Sequence, residues 1–505
     1  MAPSPSLLEI NTRLWLGELP RGAGGPATLD DVPDGALDRI AALGFDWVWL
    51  LGVWRTGPAS RRESLAYARR HPEYFAEVPG LTAEDVCGSP FAIRGYAVHP
   101  DFGGDAALGR FRLRLRDRGV RLMLDFVPNH VALDHPWLDE HPEYFVPGSA
   151  ADLAGEPWNF RRIEAAAGPL ILAHGRDPYF PGWTDTLQLN YRHPALKRAM
   201  AAELAAVAGR CDGVRCDMAM LVLPDIFRQT WGDRARPADG TAADDTPFWP
   251  AAIAGARRAR PGFVLMAEAY WDREWTLQQQ GFDFTYDKRL YDRLHALDAG
   301  AVGGHLRADG DYQARSARFL ENHDEPRAAD AFPAEVHRAA AVVTYLTTGL
   351  RFFHEGQLDG RRVRASVHLV RRPGEPADPA LRAFYGSLLA VIARPEGRAG
   401  SWQLLECRPA WDGNPTWGRF LAFAREHDGR RLVVAVNYGP TRGQGFVPVP
   451  FADPAGPPVR FRDLLGPAVY DRAAGDLATR GLYLDLPPWG HHVFGVAVAP
   501  VPPEA

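Results

Sequence analysis

The sequence predicts an α/β protein built on a (β/α)8 TIM barrel, with a small insertion after the third strand and a C-terminal antiparallel β-sandwich. Short apolar segments alternate with segments of helical spacing through most of the chain, and this alternation stops at about Gly400. Polar residues also recur where the apolar segments end. Alternating strands and helices form a parallel sheet, and eight such units can close into a barrel.

Eight apolar segments are interpreted as the barrel strands. LWLGEL (14–19) is taken as the first strand, because GALDRIAALG follows it with helical spacing. The other strands are, in order, FDWVWLLGV, VRLMLDFVP, DGVRCD, GFVLMAEAYW, FDFTYD, ARFLENHD and GLRFFHEG. DAALGRFRLRLRDRG and HPALKRAMAAELAAVAGR are predicted helices between strands, and PALRAFYGSLLAVIAR is the predicted last helix of the barrel.

Two regions depart from the alternation and divide the chain. Residues 131–190 are rich in Pro, Trp, His and Gly, lack periodicity and are too long for an ordinary loop, so we expect an inserted domain there. Residues 399–505 contain alternating segments between Pro and Gly turns, which is typical of an antiparallel β-sandwich. The barrel is assigned to residues 1–130 and 191–398.

Composition argues against nucleic acid or a membrane as partner. The formal net charge is -5 and the arginines are scattered, so no basic patch is expected. No stretch of 18 apolar residues without charge predicts a transmembrane helix, and no signal-peptide pattern is evident. The four cysteines lack CxxC spacing and are too few for a disulfide scaffold. We therefore expect a cytoplasmic protein.

Charged residues fall at the predicted C-terminal ends of several barrel strands. These ends converge on one mouth of a barrel, where active sites lie. A helix cap, a core histidine or a structural salt bridge would explain any one of them, but their coincidence indicates a catalytic site. The residues are Asp125, Arg215, Asp217, Glu268, His323 and Asp324, with His130 shortly after Asp125.

Three acids in one mouth cannot all keep ordinary pKa values. Mutual repulsion raises the pKa of at least one, whereas Arg215, on the same face of its strand as Asp217, favours the charged form of that aspartate. An ionised Asp217 beside a protonated Glu268 is the equipment of a retaining glycosidase, which needs a nucleophile and an acid that protonates the leaving oxygen. Asp324 can bind sugar hydroxyls and stabilise positive charge on the ring.

DFVPNH, GVRCDMAM, AEAYW and ENHD resemble the four signature regions of the α-amylase family, glycoside hydrolase family 13. The resemblance implies that Asp217 is the nucleophile, Glu268 the acid/base and Asp324 the transition-state stabiliser. It also implies that His130, Arg215 and His323 bind the sugar or orient the nucleophile, and we add Asp125 to the predicted substrate-binding set. The insertion matches the family's domain B, and the tail matches its C-terminal β-domain.

The chain departs from the family pattern on the leaving side of the bond. Many starch-cleaving members carry a Lys-His pair three and four residues after the nucleophile, where this chain has Met220 and Leu221. These side chains cannot hydrogen-bond to sugar, which argues against endo action on long glucans.

Other departures concern metal binding and aromatic contacts. Gln188 replaces an aspartate that can bind Ca²⁺ in the family, and Asn129 alone is a poor ligand set. We therefore expect no metal and no cofactor, with a bound Ca²⁺ ion as the alternative. Tyr96 and Phe91 are alternative candidates for a stacking aromatic, and Trp271, three residues after the acid, is the other expected sugar contact.

The sequence thus predicts a retaining hydrolase of α-glucosidic bonds in oligosaccharides or short α-glucosides. The alternative is a transglycosylase that moves a glucosyl or maltosyl unit to an acceptor other than water. A non-catalytic carbohydrate-binding protein is disfavoured because all three acids are present, and a metalloenzyme because no metal-ligand spacing such as HExxH occurs.

Overall fold

A closed barrel of eight parallel strands forms the centre of the computed structural model, which describes residues 4–20, 26–70 and 78–499. Each strand pairs with its neighbours in sequence order, and the eighth strand pairs with the first. Barrel strands one to eight are Ser6–Asn11, Trp47–Leu51, Arg121–Phe126, Gly213–Cys216, Val264–Ala267, Phe284–Tyr286, Ser316–Arg318 and Leu350–His354. The predicted fold class is confirmed.

The first barrel strand lies earlier in the chain than predicted. Ser6–Asn11 forms it, whereas most of the segment 14–19 belongs to a short helix, Thr12–Gly17. The Asn11 side chain accepts a hydrogen bond of 3.2 Å from the backbone N–H of Leu14 and caps that helix. Two apolar runs follow each other here, and the capping asparagine between them shows which one is the strand.

Alternation of side chains within the strands separates the barrel interior from the surrounding helices. In strand two, Trp47, Trp49 and Leu51 fill the interior, whereas Val48 and Leu50 pack in the larger core on the outside. Both faces of the strand are therefore buried, which explains why its sequence is apolar throughout.

Helices surround the barrel and pack their apolar sides against it. The longer ones are Asp34–Ala42, Pro58–Arg70, Gly104–Arg116, Pro194–Ala208, Pro224–Trp231, Trp249–Ala259, Lys288–His295, Ala299–Leu306, Ala334–Leu346 and Pro379–Ile392. Proline occupies the first turn of several of them, where its missing N–H would be unpaired in any case. Within the described ranges, no helix has the length and apolar character needed to cross a bilayer.

The insertion after barrel strand three, called domain B, contains two antiparallel strand pairs. His130–Ala132 pairs with Thr186–Gln188, and Phe160–Ala165 pairs with Gly168–Ala173. The first pair leads the chain out of the barrel and back, so domain B stands directly over the end of strand three. Outside domain B, a third antiparallel strand pair, Trp54–Thr56 with Ile93–Val98, follows strand two.

The C-terminal region consists of antiparallel sheets. Six strands, Ser401–Leu405, Phe420–His427, Arg430–Asn437, His491–Val498, Val459–Asp463 and Val469–Arg472, form one sheet, and Arg408–Pro409, Gly443–Val447 and Leu482–Leu486 form another. Side chains from both sheets share one core, as in a sandwich. The Tyr438 hydroxyl donates a 2.6 Å hydrogen bond to the Leu294 carbonyl and so attaches this region to the barrel.

Candidate active site

The inward faces of the barrel strands become charged toward their C-terminal ends. On strand one, Leu7 lies in the interior core, and Glu9 follows two residues later on the same face. On strand three, Met123 and Asp125 are related in the same way, and Asp125 lies in register with Arg215 on strand four. The register of the barrel therefore collects charged side chains at one mouth.

Arg215 connects two of the three acids. Its Nη1 lies 2.7 Å from Oδ1 of Asp217, and its Nη2 lies 2.7 Å from Oε2 of Glu268. The backbone continues the sheet at this point, because the Glu268 N–H donates to the Cys216 carbonyl at 3.0 Å. A single buried guanidinium thus holds both carboxylates, whereas the sequence interpretation paired it with Asp217 alone.

Three aromatic rings enclose the Arg215 guanidinium. Its carbon lies 5.3 Å from the ring centres of Trp49 and Phe91 and 5.7 Å from that of Tyr286. Burial opposes the charge of Arg215, but Glu268, Tyr286 and the neighbouring aspartates outweigh it, so its pKa lies well above the ordinary value. Arg215 is a permanent cation.

Glu268 is buried and its pKa is raised to about 7, mainly because burial disfavours the carboxylate. The negative charges of Asp217 and Asp324 act in the same direction, whereas Arg215 opposes the shift. Near neutral pH this carboxyl group is therefore present in both protonation states.

Two hydrogen bonds orient the Glu268 carboxyl group. The Tyr270 hydroxyl donates to Oε1 at 2.9 Å, and the backbone N–H of Met218 donates to Oε2 at 2.6 Å. Met218 adopts φ 39° and ψ 48°, a left-handed conformation that is uncommon for a residue with a side chain. This unusual turn, directly after Asp217, aims the amide at Glu268.

Asp324 lies in the loop after barrel strand seven. Its side chain is 53% exposed to the mouth, and its Oδ2 lies 3.1 Å from Nε2 of His323. Desolvation favours the neutral form, but His323, Arg215 and Arg364 outweigh it and hold the pKa of Asp324 well below its usual range. The third acid is therefore both ionised and accessible from the mouth.

Glu9 extends this line of charges into the barrel. Its Oε1 lies 2.5 Å from Nδ1 of His323, and Glu9 is fully buried. Burial opposes a charge on His323, but Asp324 and Glu9 outweigh it, so the pKa of His323 lies well above its ordinary value. Sequence reasoning missed Glu9; the available signal was one carboxylate within the apolar run SLLEIN, a costly arrangement unless it is paired.

Asp125 binds strand two and the turn that follows it. Its Oδ1 accepts a hydrogen bond from Trp49 Nε1 at 3.0 Å, and its Oδ2 accepts one from the Gly52 N–H at 2.6 Å. Burial raises the pKa of Asp125 to about 6, although Arg215 opposes the shift. Both oxygens are engaged and the residue is fully buried, so the structure shows Asp125 in a positioning role, and its predicted contact with substrate stays a prediction.

Phe91 rather than Tyr96 lies at the charged cluster. The Tyr96 hydroxyl is hydrogen-bonded to both backbone groups of Val127, at 3.0 and 3.1 Å, and its ring stacks on Phe126. The ring of Phe91 lies 5.5 Å from that of His323 and also covers Arg215. Of the two candidate aromatics, the structure thus places Phe91 at the charged cluster and uses the polar end of Tyr96 in the loop after strand three, and the sugar contact of Tyr96 stays a prediction.

His130 and Trp271 lie on two sides of the mouth. The buried His130 ring lies 5.1 Å from Trp183 of domain B, and its pKa is lowered by burial, which Asp217 opposes. Trp271 meets Tyr179 of domain B edge to face at 5.0 Å. The φ angle of Trp271 is 59°, outside the usual region for a residue with a side chain. Trp271 comes next in the chain after Tyr270, whose hydroxyl group binds Glu268.

Met220 and Leu221 are core residues. They lie in the 3-10 helix Ala219–Val222 and are 0% and 2% exposed. Neither side chain therefore presents a polar group to the mouth. It also follows that a lysine or histidine placed here would enter the core rather than the mouth.

Asn129 and Gln188 satisfy each other where the family can bind Ca²⁺. Gln188 Nε2 donates to Oδ1 and to the backbone carbonyl of Asn129, both at 2.9 Å, and to the Leu189 carbonyl at 3.0 Å. These uncharged, mutually paired groups do not fit a Ca²⁺ ion, which prefers carboxylate ligands. Within the described part of the chain, no group of three or more His, Cys, Asp or Glu side chains is arranged to hold a metal ion.

Comparison with known families decides the classification. The family model of the alpha-amylase catalytic domain matches residues 35–362. The chain belongs to the alpha-amylase family. The match spans barrel strands two to eight and domain B, and therefore includes the three acids and Arg215.

Curated alpha-amylase family relatives are similar over parts of their length. Alpha-amylase MalA of Haloarcula japonica is 24% identical over 444 residues, which cover 86% of this chain and 55% of MalA. An alpha-1,4-glucan:maltose-1-phosphate maltosyltransferase of Salinibacter ruber is 33% identical over 198 residues, 35% of this chain and 28% of that enzyme. The chain thus spans little more than half of MalA and under a third of the transferase.

Solved structures of alpha-amylases share the fold. The noncanonic maltogenic alpha-amylase AmyB of Thermotoga neapolitana has a TM-score of 0.68 at 16% identity, covering 98% of this chain and 99% of AmyB. An alpha-amylase of Lactobacillus plantarum has a TM-score of 0.63 at 20% identity, with coverage of 98% and 99%. At this identity the likeness establishes the common architecture alone.

Proposed function

We propose that this protein is a retaining enzyme that cleaves α-glucosidic bonds of oligosaccharides or short α-glucosides. The observation that carries the proposal is the bridge from Arg215 to both Asp217 and Glu268, with Asp324 accessible in the same mouth. Retaining glycosidases need two carboxyl groups about 5 Å apart. Two carboxylates held by one guanidinium are consistent with that close separation.

The proposed reaction has two steps. Asp217 attacks the anomeric carbon while Glu268 gives its proton to the departing oxygen, so a glycosyl ester forms on Asp217 as the glycosidic bond breaks. Glu268, now ionised, takes a proton from water, which attacks the same carbon and releases Asp217. A pKa of about 7 suits both tasks.

Asp324 and the His323 cation are proposed to hold the sugar while positive charge develops on its ring. The ionised Asp324 supplies the negative charge, and Glu9 on the far side keeps His323 protonated. Phe91 is proposed as the aromatic contact of this sugar, in place of Tyr96, because its ring covers Arg215 beside His323.

Transfer to an acceptor other than water is the second candidate activity. Several curated relatives are alpha-1,4-glucan:maltose-1-phosphate maltosyltransferases. The same ester on Asp217 serves both outcomes, since only the group that takes the place of water differs.

The proposal predicts a preference for short substrates. Two side chains that grip the leaving side in starch-cleaving members are absent, and each lost hydrogen bond is worth about 0.5–1.5 kcal/mol, so long chains should bind about ten- to a hundredfold less well. We expect a higher kcat/KM for maltooligosaccharides and aryl α-glucosides than for starch. Products from a panel that includes isomaltose, trehalose, sucrose, glycogen and soluble starch, separated by chromatography, test this expectation and the activity itself.

Two results of the panel would contradict the proposal. Rapid loss of starch viscosity before small sugars appear would show endo action on long chains. Failure of the pure enzyme to release or transfer sugar from any α-glucoside would remove the proposed activity.

We further propose that activity needs no Ca²⁺, because Gln188 and Asn129 use their polar groups on each other. Treatment with EDTA should therefore leave kcat/KM and Tm nearly unchanged. A bound ion present at a hundred times its Kd would contribute about 2.7 kcal/mol, and its removal would lower Tm by about 2–3 °C in a chain of this length. A fall of that size, reversed by Ca²⁺ and not by Mg²⁺, would contradict this part of the proposal.

A cytoplasmic location completes the proposal. All four cysteines are free and buried, as is common in proteins of reducing compartments.

A further inference from the structure

A cavity of about 420 Å³ lies at the end of the barrel opposite the candidate active site. It runs along the helix Gly104–Arg116, beside residues that precede barrel strands four and five. Asp212 comes directly before strand four and Arg260 shortly before strand five, whereas Asp217 and Glu268 follow the far ends of these strands. The cavity volume lies within the roughly 300–1,000 Å³ of small-ligand sites.

Positive charge is in excess on the wall of this cavity. Four arginines line it, but only two aspartates do, and these residues come from three separate parts of the chain that meet in the fold. Asp212 lies 2.7 Å from Arg112 and also pairs with Arg260, so one carboxyl group serves two guanidinium groups. Arg210 pairs with Asp105 at 3.2 Å.

The fourth arginine, Arg116, is unpaired. It forms no ion pair or hydrogen bond with any residue that the structure describes, and it lies one helical turn after Arg112, where like charges repel each other. Along the other side of the same helix, and just beyond its end, each arginine has its own aspartate. Those pairs are Arg110–Asp30, Arg114–Asp34 and Arg118–Asp38. The charge left over on the cavity side alone favours an anionic ligand.

A glycine that the fold does not require lies on the same side of the helix. Gly109 is in the middle of the helix, where glycine is less stable than alanine. A Cβ atom at this position would meet no other atom within 4 Å, so packing does not exclude a side chain. Gly109 leaves the helix backbone open to the cavity, and Leu113, one turn later, is 47% exposed beside it. This surface suits an uncharged part of a ligand.

We propose that this cavity binds a small organic phosphate. Arg112, Arg116 and Arg260 bind the phosphate group, since a guanidinium group can donate two N–H hydrogen bonds to it. The rest of the molecule packs on Gly109 and Leu113. Nucleotides and sugar phosphates share this chemistry. No group of the candidate active site takes part, so the inference goes beyond the proposed function and does not depend on it.

The test titrates glucose 1-phosphate, AMP and inorganic phosphate into the protein by calorimetry at constant ionic strength. Arg116→Met removes the unpaired cation, and Gly109→Leu fills the cavity from a position where a Cβ atom meets no other atom. We expect saturable binding of at least one organic phosphate to the wild type, about tenfold weaker in Arg116→Met and undetectable in Gly109→Leu. The organic phosphate that binds more tightly shows whether the ligand is a nucleotide or a sugar phosphate.

Arg110→Met is the matched control, because Arg110 lies on the other side of the same helix, paired with Asp30. This variant should bind the organic phosphate as the wild type does. Leucine has a higher helix propensity than glycine, so Gly109→Leu should keep or raise Tm. Lost binding in a protein of unchanged Tm and circular dichroism is then a property of the cavity.

Three results would overturn the proposal. The first is the absence of saturable binding of either organic phosphate to the wild type. The second is equal affinity in the wild type and in both cavity variants, which would place the binding elsewhere on the protein. The third is tighter binding of inorganic phosphate than of both organic phosphates. A wild type that cleaves no α-glucoside would contradict the proposed function and leave this titration unaffected.

Discussion

Replacement of Asp217 by asparagine is expected to abolish turnover of α-glucosides while leaving the fold intact. The amide keeps the shape of the side chain and an oxygen for the 2.7 Å contact with Arg215, but it is a poor nucleophile toward the anomeric carbon. Loss of a residue that forms the covalent intermediate costs at least about 10⁴-fold in kcat. The measurement is kcat/KM with an aryl α-glucoside, together with circular dichroism and Tm.

Asp212→Asn is the matched control for this variant. Asp212 lies just before the same strand and pairs with Arg112 at 2.7 Å and with Arg260. Its substitution should lower Tm and leave kcat/KM within a few-fold of the wild type. Near-normal activity of Asp217→Asn, in protein free of wild-type enzyme, would show that Asp217 is not the nucleophile.

Glu268→Gln is expected to lose activity according to the leaving group. Natural α-glucosides need a proton on the departing oxygen, and without Glu268 their cleavage should fall by about 10²- to 10⁴-fold. With an α-glucosyl fluoride as substrate, the fluoride ion leaves without that proton. The first step of the reaction should therefore largely survive in the variant. Equal losses for both substrates would contradict the role of Glu268 as the acid.

The pH dependence tests the same role. Because the first step uses protonated Glu268, and the pKa of this group is raised to about 7, kcat/KM for natural α-glucosides should fall as the pH rises above about 7. In Glu268→Gln with the fluoride donor this alkaline fall should disappear. A wild-type profile that stays level to pH 9 would show that Glu268 does not act as the proton donor.

Local patterns were enough to predict the barrel and the grouping of Asp217 and Glu268. Both residues directly follow short apolar strands, and the ends of neighbouring parallel strands meet at one mouth. The bridge from Arg215 to Glu268 was not predictable in this way, because it joins side chains of two strands. The register and the rotamer of a long side chain decide it.

The misplaced first strand explains why Glu9 was missed. With the strand set at 14–19, the carboxylate in SLLEIN fell outside any element, and its contact with His323 bridges 314 positions of the chain. The exchange of Tyr96 for Phe91 has a similar cause. Both aromatics fit the local sequence pattern. Only the hydrogen bonds of Tyr96 to Val127, in a loop distant in sequence, distinguish the position of Tyr96 from that of Phe91.

Covalent labelling of Asp217 is the most direct test of the central claim that the enzyme forms a glycosyl ester. Glu268→Gln, mixed with an α-glucosyl fluoride, should accumulate protein heavier by one sugar residue, visible by intact mass. The second step needs Glu268 to take a proton from water, so it should be slow in this variant. Peptide mapping should place the added mass on Asp217. Turnover of the fluoride with no labelled protein, or a label on another residue, would contradict the retaining mechanism proposed for this site.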